Sequence, residues 1–141
     1  VRIPGYINYG YRPPAPFAAA SILLHPLNIK ARLPLLLDTG ASNTIILWGD
    51  LERLSADVSR MKPERKFSGL GGLIEAKPIP SIISFRTAEG GIVEEKVEVY
   101  IATGTCPHPR LKLLPSILGR DIINRYTLSY SPSDGKVYLK R

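Results

Sequence analysis

Residues 33–47 read LPLLLDTGASNTIIL. Asp38 closes an apolar, strand-like run, Thr39 and Gly40 follow it, and a second β-branched run begins at Thr44, Ile45 and Ile46. Burial penalises the charge of a carboxylate, so an acid between two apolar strands is costly without partners. Proteins keep such a group where it has a task. Asp, Gly and Asn are also ordinary turn residues, and a D-T-G triplet arises by chance in on the order of a few per cent of chains this long. The flanks discriminate. A solvated turn needs neither LPLLL before it nor TIIL after it.

Working outward, 141 residues give one domain with room for a real core. Twelve glycines and thirteen prolines fall at punctuation points rather than in one block, the habit of a chain of many short strands. The net charge of +7 is spread along the chain, with modest clusters at 60–66 and 136–141. A nucleic-acid binder shows a concentrated basic face interleaved with aromatics, so no specific nucleic-acid partner is expected. One cysteine, Cys106, excludes an intrachain disulfide and points to a reducing, cytoplasmic compartment. With two histidines in the chain, Cys106 and His108 lack the company a zinc site needs, so no metal or other cofactor is expected. The apolar run 15–24 is too short to span a bilayer and lacks the flanks of a signal peptide. The first residue is Val1, as in a processed form or an excised domain.

Residues 1–16, rich in Tyr, Gly and Pro, read as an extended N-terminal arm, and 17–141 as the domain proper. Strands are expected at 17–25 and 31–37, with 26–30 joining them and Asp38 at the end of the second. The run GDLERLSAD fits a short helix with Asp50 as N-cap and Leu51 and Leu54 on one face. A hairpin is expected from 81–87 and 92–101, where Val97, Val99 and Ile101 alternate with polar residues. A last hairpin, 127–131 with 136–140, turns at Asp134–Gly135.

Two further motifs stand out. Residues 66–77 read KFSGLGGLIEAK, with Gly69, Gly71 and Gly72 around Leu70. Glycines allow positive φ and close backbone approach, and the spacing is not that of a phosphate-binding G-x-G-x-x-G. On its own this is either a plain turn or a functional tip. Residues 116–126 read SILGRDIINRY, an apolar strand ending at Gly119 and a helical spacing of Ile122, Ile123 and Tyr126.

Taken together, the DTG in its apolar frame, the glycine-rich hairpin after it and the apolar-Gly-Arg-Asp segment resemble the retropepsin-like, retroviral-type aspartic proteases over roughly residues 17–141. The resemblance implies an all-β, closed, barrel-like fold with one or two short helices. It implies an aspartic endopeptidase in which two Asp38 carboxylates, one from each subunit of a homodimer, activate a water against a peptide or protein substrate. The chain contains one DTG and no second D-T-G or D-S-G. Thr39 and Gly40 would complete the catalytic loop, with Thr39 hydrogen-bonding across the dimer axis. Ala41 and Ser42 would line the cleft, and Gly69, Leu70, Gly71 and Gly72 would form a flap over the substrate. Gly119, Arg120 and Asp121 would support the site. Viral enzymes pair that arginine with an aspartate where this chain has Ser42, so either Asp121 or another acid takes the pairing, or Arg120 has a different role. Viral retropepsins also end soon after the strand at 127–131, which leaves the dimer interface open. The alternative is a non-catalytic peptide-binding or dimerisation module that retains the fold.

Overall fold

The computed structural model describes residues 1–69 and 72–141. Its strands are β1 (Arg2–Pro4), β2 (Tyr6–Asn8), β3 (Ala15–Leu24), β4 (Ile29–Leu37) and β5 (Ile45–Ile46), followed by helix α1 (Trp48–Arg53). Then come β6 (Arg65–Gly69), β7 (Gly72–Arg86), β8 (Ile92–Ala102), β9 (Ile117–Leu118), helix α2 (Arg120–Ile123), β10 (Thr127–Ser131) and β11 (Lys136–Lys140).

The larger sheet runs β2-β3-β4-β9-β5-β8-β7-β6, and β3 pairs with β7 as well, so the order from β3 to β7 closes into a ring. This is the all-β, barrel-like fold expected. β3 and β4 are antiparallel, with Ala20 opposite Leu33. The short strands are what close the ring: β9 lies parallel to β4 and antiparallel to β5, and β5 parallel to β8. Strand alternation decides what fills it. Along β4, Leu33, Leu35 and Leu37 are buried between exposed Arg32 and Pro34. On β7 and β8, Ile83, Phe85, Val99 and Ile101 are fully buried. Each such side chain contributes roughly 1.5–3 kcal/mol relative to exposure.

Pro34 sits inside β4 without harm, for a geometric reason. The amides of Leu36 and Asp38 point toward the β9 side, to Ser116 and Leu118. Position 34 points the same way, beyond the reach of the two-residue β9. A missing N–H therefore breaks no ladder bond there.

Two local expectations change. The segment 1–16 is extended, yet part of it is hydrogen-bonded: β1 pairs with β11, β2 with β3, and Ile3 is buried in the core. Helix α1 begins at Trp48 with Leu47 as its N-cap, so Asp50 lies within the first turn instead of capping it. Its carboxylate is only 3% exposed. It accepts from Ser116 Oγ at 2.5 Å and pairs with Arg53. Ser116 Oγ in turn accepts from the Leu47 amide at 3.0 Å. A buried acid needs such partners, and finding them across the chain outweighs the local preference for a cap. A second, three-stranded sheet has the order β1-β11-β10. No helix among the described residues is long and apolar enough to cross a membrane.

Candidate active site

β4 carries Asp38 to the open end of the ring. The Asp38 amide donates to the Leu118 carbonyl at 3.1 Å, so the backbone stays paired one residue past the strand. Its carboxylate Oδ1 accepts from the Gly40 amide at 2.8 Å, an Asx-type turn. A Cβ at position 40 would stand 3.0 Å from that same oxygen, so glycine leaves the carboxylate uncrowded. Leu37 and Ile45 on either side are buried, but Asp38 is half-buried and Thr39 and Gly40 are exposed. The acid is therefore not enclosed by its apolar flanks, because the turn lifts residues 38–43 clear of the core.

The return of the chain at β9 and α2 clamps this turn. The Arg120 amide donates to the Ala41 carbonyl at 2.9 Å, and its guanidinium Nη1 to the Thr39 carbonyl at 2.8 Å. Asp121 accepts from the Thr44 amide and from Thr44 Oγ1, both at 2.8 Å. Thr44 Oγ1 accepts from the Gly119 amide at 3.1 Å and is fully buried with its side chain. At Gly119, a Cβ would run into the backbone of Asn43. Among the described residues the Arg120 guanidinium meets the Thr39 carbonyl rather than an acid, while Asp121 meets Thr44.

Behind α2, Arg125 links this clamp to β8. Its Nε donates to the Asp121 carbonyl at 3.0 Å and its Nη1 to Glu95 at 2.7 Å. Tyr126 Oη and Arg141 Nη1 also donate to Glu95, at 2.5 and 3.0 Å. Burial pushes the Glu95 carboxyl up, but the hydrogen bonds from Tyr126 and Arg125 and the nearby arginine charges outweigh it and hold it below its ordinary value. Burial, then the hydrogen bond and charge of Glu95, push the Tyr126 hydroxyl up to about 12.

A cleft of about 530 Å³ opens over Asp38. Gly40, Ala41, Ser42 and Asn43 border it on one side, and Phe67, Ser68, Gly72 and Ile74 of the β6–β7 hairpin on another. Leu36, Ile45, Leu47, Leu114, Pro115 and Ile117 make the remainder largely apolar. Asp38 is its one carboxylate among the described residues. The base of the hairpin is held by aromatic contacts: Phe67 meets Tyr100 edge-on at 5.0 Å, and Arg65 lies 4.6 Å over the Phe67 ring. The ladder sets Gly69 opposite Gly72. Leu70 and Gly71, expected at the tip, lie outside the described residues.

A family model described as aspartyl protease matches residues 27–122. The chain belongs to the aspartyl protease family. The match spans the DTG turn, the hairpin and the Gly119–Asp121 clamp together. Among solved structures, a retropepsin-like aspartic protease from Rickettsia conorii superposes with a TM-score of 0.56 at 16% identity, over 99% of this chain and 88% of that one. That likeness shows the retropepsin-like fold. EIAV protease in complex with an inhibitor aligns at 22% identity and a TM-score of 0.47, over 79% of this chain and 86% of that one. No curated protein sequence matches significantly.

The sequence reading singled out Gly119, Arg120 and Asp121, and the structure brings all three to the DTG turn. It missed Thr44, the hub of the clamp, and the apolar walls Phe67, Ile74 and Leu114. Phe67 and Ile74 carried a signal, since both lie on strands flanking the glycine-rich tip and face one another across the ladder. Thr44 carried none beyond being a polar residue in an apolar run.

Proposed function

We propose that this aspartyl protease family member is an endopeptidase that works as a homodimer, with one Asp38 from each subunit at the centre of the site. The observation that carries this reading is a single carboxylate in a peptide-sized apolar cleft, on a braced turn whose Thr39 and Gly40 are exposed. One carboxylate is half of the required chemistry. Two carboxylates close together cannot both ionise and so share one proton, the logic established for aspartic proteases. The ionised member takes a proton from a water held between them, and that water attacks the scissile carbonyl. The protonated member donates to the carbonyl oxygen as it becomes a hydroxyl. The tetrahedral intermediate then collapses as a proton passes to the leaving amine. The pair titrates as a unit.

Residues 38–40 are the catalytic loop in this reading, with Thr39 reaching across the axis. Ala41 and Ser42 flank the peptide. The β6–β7 hairpin with Gly69, Leu70, Gly71 and Gly72 is the flap that excludes water. Leu36, Ile45, Ile74 and Ile117 favour apolar substrate side chains beside the scissile bond. Mixing wild type with excess Asp38→Asn protein tests the shared site. Each heterodimer retains one acid, so peptide cleavage should fall as wild-type subunits are drawn into heterodimers. Cleavage in proportion to wild-type chain alone, whatever the excess, would sink the shared site.

A further inference from the structure

The third wall of the cleft, Leu114, Pro115 and Ile117, is fastened differently from the DTG turn and the hairpin. β9 holds only Ile117 and Leu118 in the ladder. Before it, the chain from Gly104 to Ser116 runs against helix α1, with a 3-10 turn at Pro109–Leu113. Hydrophobic burial does little to place this segment. Leu113 is 80% and Leu114 39% exposed, and of Leu111, Leu113 and Leu114 only Leu111 packs against the core.

What holds it comes from α1 and is mostly polar. Ser116 Oγ donates to the buried Asp50 carboxylate at 2.5 Å and accepts from the Leu47 amide at 3.0 Å, while the Ser116 carbonyl accepts from the Leu36 amide at 2.9 Å. One residue thus ties the end of β4, the start of α1 and the root of the wall, and Leu36 and Leu47 themselves border the cleft. Trp48 Nε1 donates to the Gly104 carbonyl at 3.3 Å. At Gly49 a Cβ would run into the Lys112 carbonyl, so helix and wall approach as closely as glycine permits. Lys112 and Glu52 add an ion pair at 3.1 Å, but both are exposed and such a pair contributes little. Asp50 is the exception among these ties. Replacing buried charged groups by apolar ones is often neutral or stabilising, so a buried acid is better suited to fixing a register than to adding stability.

We infer that Asp50 is a positioning residue: through Ser116 it sets the spacing of the Leu114–Ile117 wall from the catalytic turn, and so the size of the apolar substrate side chain accepted beside the scissile bond. This rests on the peptide-cleaving reading above. Asp50 meets no reacting atom and acts only through the hydroxyl of Ser116. The arrangement has a physical logic. A wall anchored by burying its own leucines would have to turn them into the core. Placed instead by a buried acid behind it, the segment leaves Leu114 free to border the cleft.

Two peptides that differ only in carrying Leu or Ala beside the scissile bond read the spacing. Hydrophobic pockets discriminate a single methylene by about tenfold or more, and Ser116→Ala should narrow the wild-type ratio of kcat/KM between the two peptides at least about threefold, through KM more than kcat. Arg53→Gln alters an exposed side chain and frees one partner of Asp50, so it should narrow the ratio in the same direction by less, and it carries the test if Ser116→Ala does not fold. Ile83→Val, a buried change in β7 outside the cleft lining, should lower stability and leave the ratio alone. An unchanged ratio in folded Ser116→Ala, or in Arg53→Gln where only that variant folds, overturns the positioning role. So does an equal shift in Ile83→Val, or a wild type that treats the two peptides alike. Calorimetric titration of the same peptides onto Asp38→Asn protein, with and without Ser116→Ala, separates this inference from the reading it rests on. A chain that cleaves neither peptide but binds them with a preference that Ser116→Ala narrows overturns the endopeptidase reading and keeps the wall. Cleavage with an unmoved preference does the opposite, and neither cleavage nor binding overturns both.

Discussion

The turn carrying Asp38 and the β6–β7 hairpin border the same cleft but are held by different means. The turn is fixed by long-range polar contacts: Arg120 to Thr39, Asp121 to Thr44 and Gly119 to Thr44. The hairpin is held, among the described residues, by its own ladder and by aromatic packing at its base. Their glycines show the contrast. Gly119 has an ordinary φ but no room, since a Cβ would strike the Asn43 backbone. At Gly72 a Cβ would meet no described atom within 4 Å, yet the φ is +98°, which L side chains rarely adopt. One glycine is needed for packing and the other for backbone shape. The endopeptidase reading proposed above assigns these two constructions different parts: the braced floor sets carboxylate geometry, and the hairpin closes over the substrate.

The largest effect should come from the floor's single acid. Asp38→Asn keeps the shape of the side chain and can still accept from the Gly40 amide, but it removes the base. Cleavage of a reporter peptide should fall by at least about a thousandfold, with melting temperature nearly unchanged. Activity close to wild type in purified protein would mean that the chemistry lies elsewhere.

Next in size is Gly119→Ala. Forcing a methyl into the Asn43 backbone should cost about 2–3 kcal/mol or prevent folding, because a packed turn relaxes poorly. Chemical denaturation of the isolated variant reads this. A loss below about 0.5 kcal/mol would show that the floor yields, and the contrast with the hairpin would disappear.

Gly72→Ala should behave in reverse. The added methyl meets no described atom within 4 Å, so the penalty is backbone strain at a φ of +98°. Stability should change by less than about 1 kcal/mol. If the hairpin closes over substrate, kcat/KM should drop about tenfold, equal to about 1.4 kcal/mol of transition-state stabilisation. Unchanged kinetics in a folded protein would make the hairpin scaffold.

Much of the fold is legible in the sequence, and the reason is local. The β3–β4 hairpin, the α1 face with Leu51 and the β10–β11 hairpin follow from periodicities and turn residues within a few positions of one another. The side-chain partners were not legible, because they join residues far apart in the chain. Thr44 and Asp121 are 77 residues apart, Arg120 and Thr39 are 81. Asp50 misled for the same reason: its local context suits a cap, and Ser116, 66 residues away, draws it inward. The pairing of β1 with β11 likewise joins the two ends of the chain, with no sequence pattern in 1–16 to announce it.

The smallest effect concerns the anchor behind the floor, and it appears only as a pH dependence. Glu95 holds Arg125, Arg141 and Tyr126, and through Arg125 it reaches the Asp121 carbonyl. Its carboxyl is held below its ordinary value in the folded protein. The unfolded chain therefore binds a proton first as pH falls. The stability from this group is present above the unfolded carboxyl value, about 4.3, and is lost as pH falls through the folded value. Tyr126 works at the other end. Its folded value of about 12 lies above the ordinary 10, so its contribution is complete below pH 10 and lost as pH rises toward 12. Glu95→Gln should flatten the acid flank of the profile of melting temperature against pH, since it removes that titration, and only lessen the alkaline flank, since burial, the larger cause of the raised tyrosine value, stays in place. The floor should loosen slightly in step, seen as faster amide exchange at Thr44 than at hairpin residue Ile74. If exchange instead quickens in the β6–β7 hairpin and not at Thr44, the anchor serves the moving wall, and the division between fixed floor and separable hairpin is drawn in the wrong place.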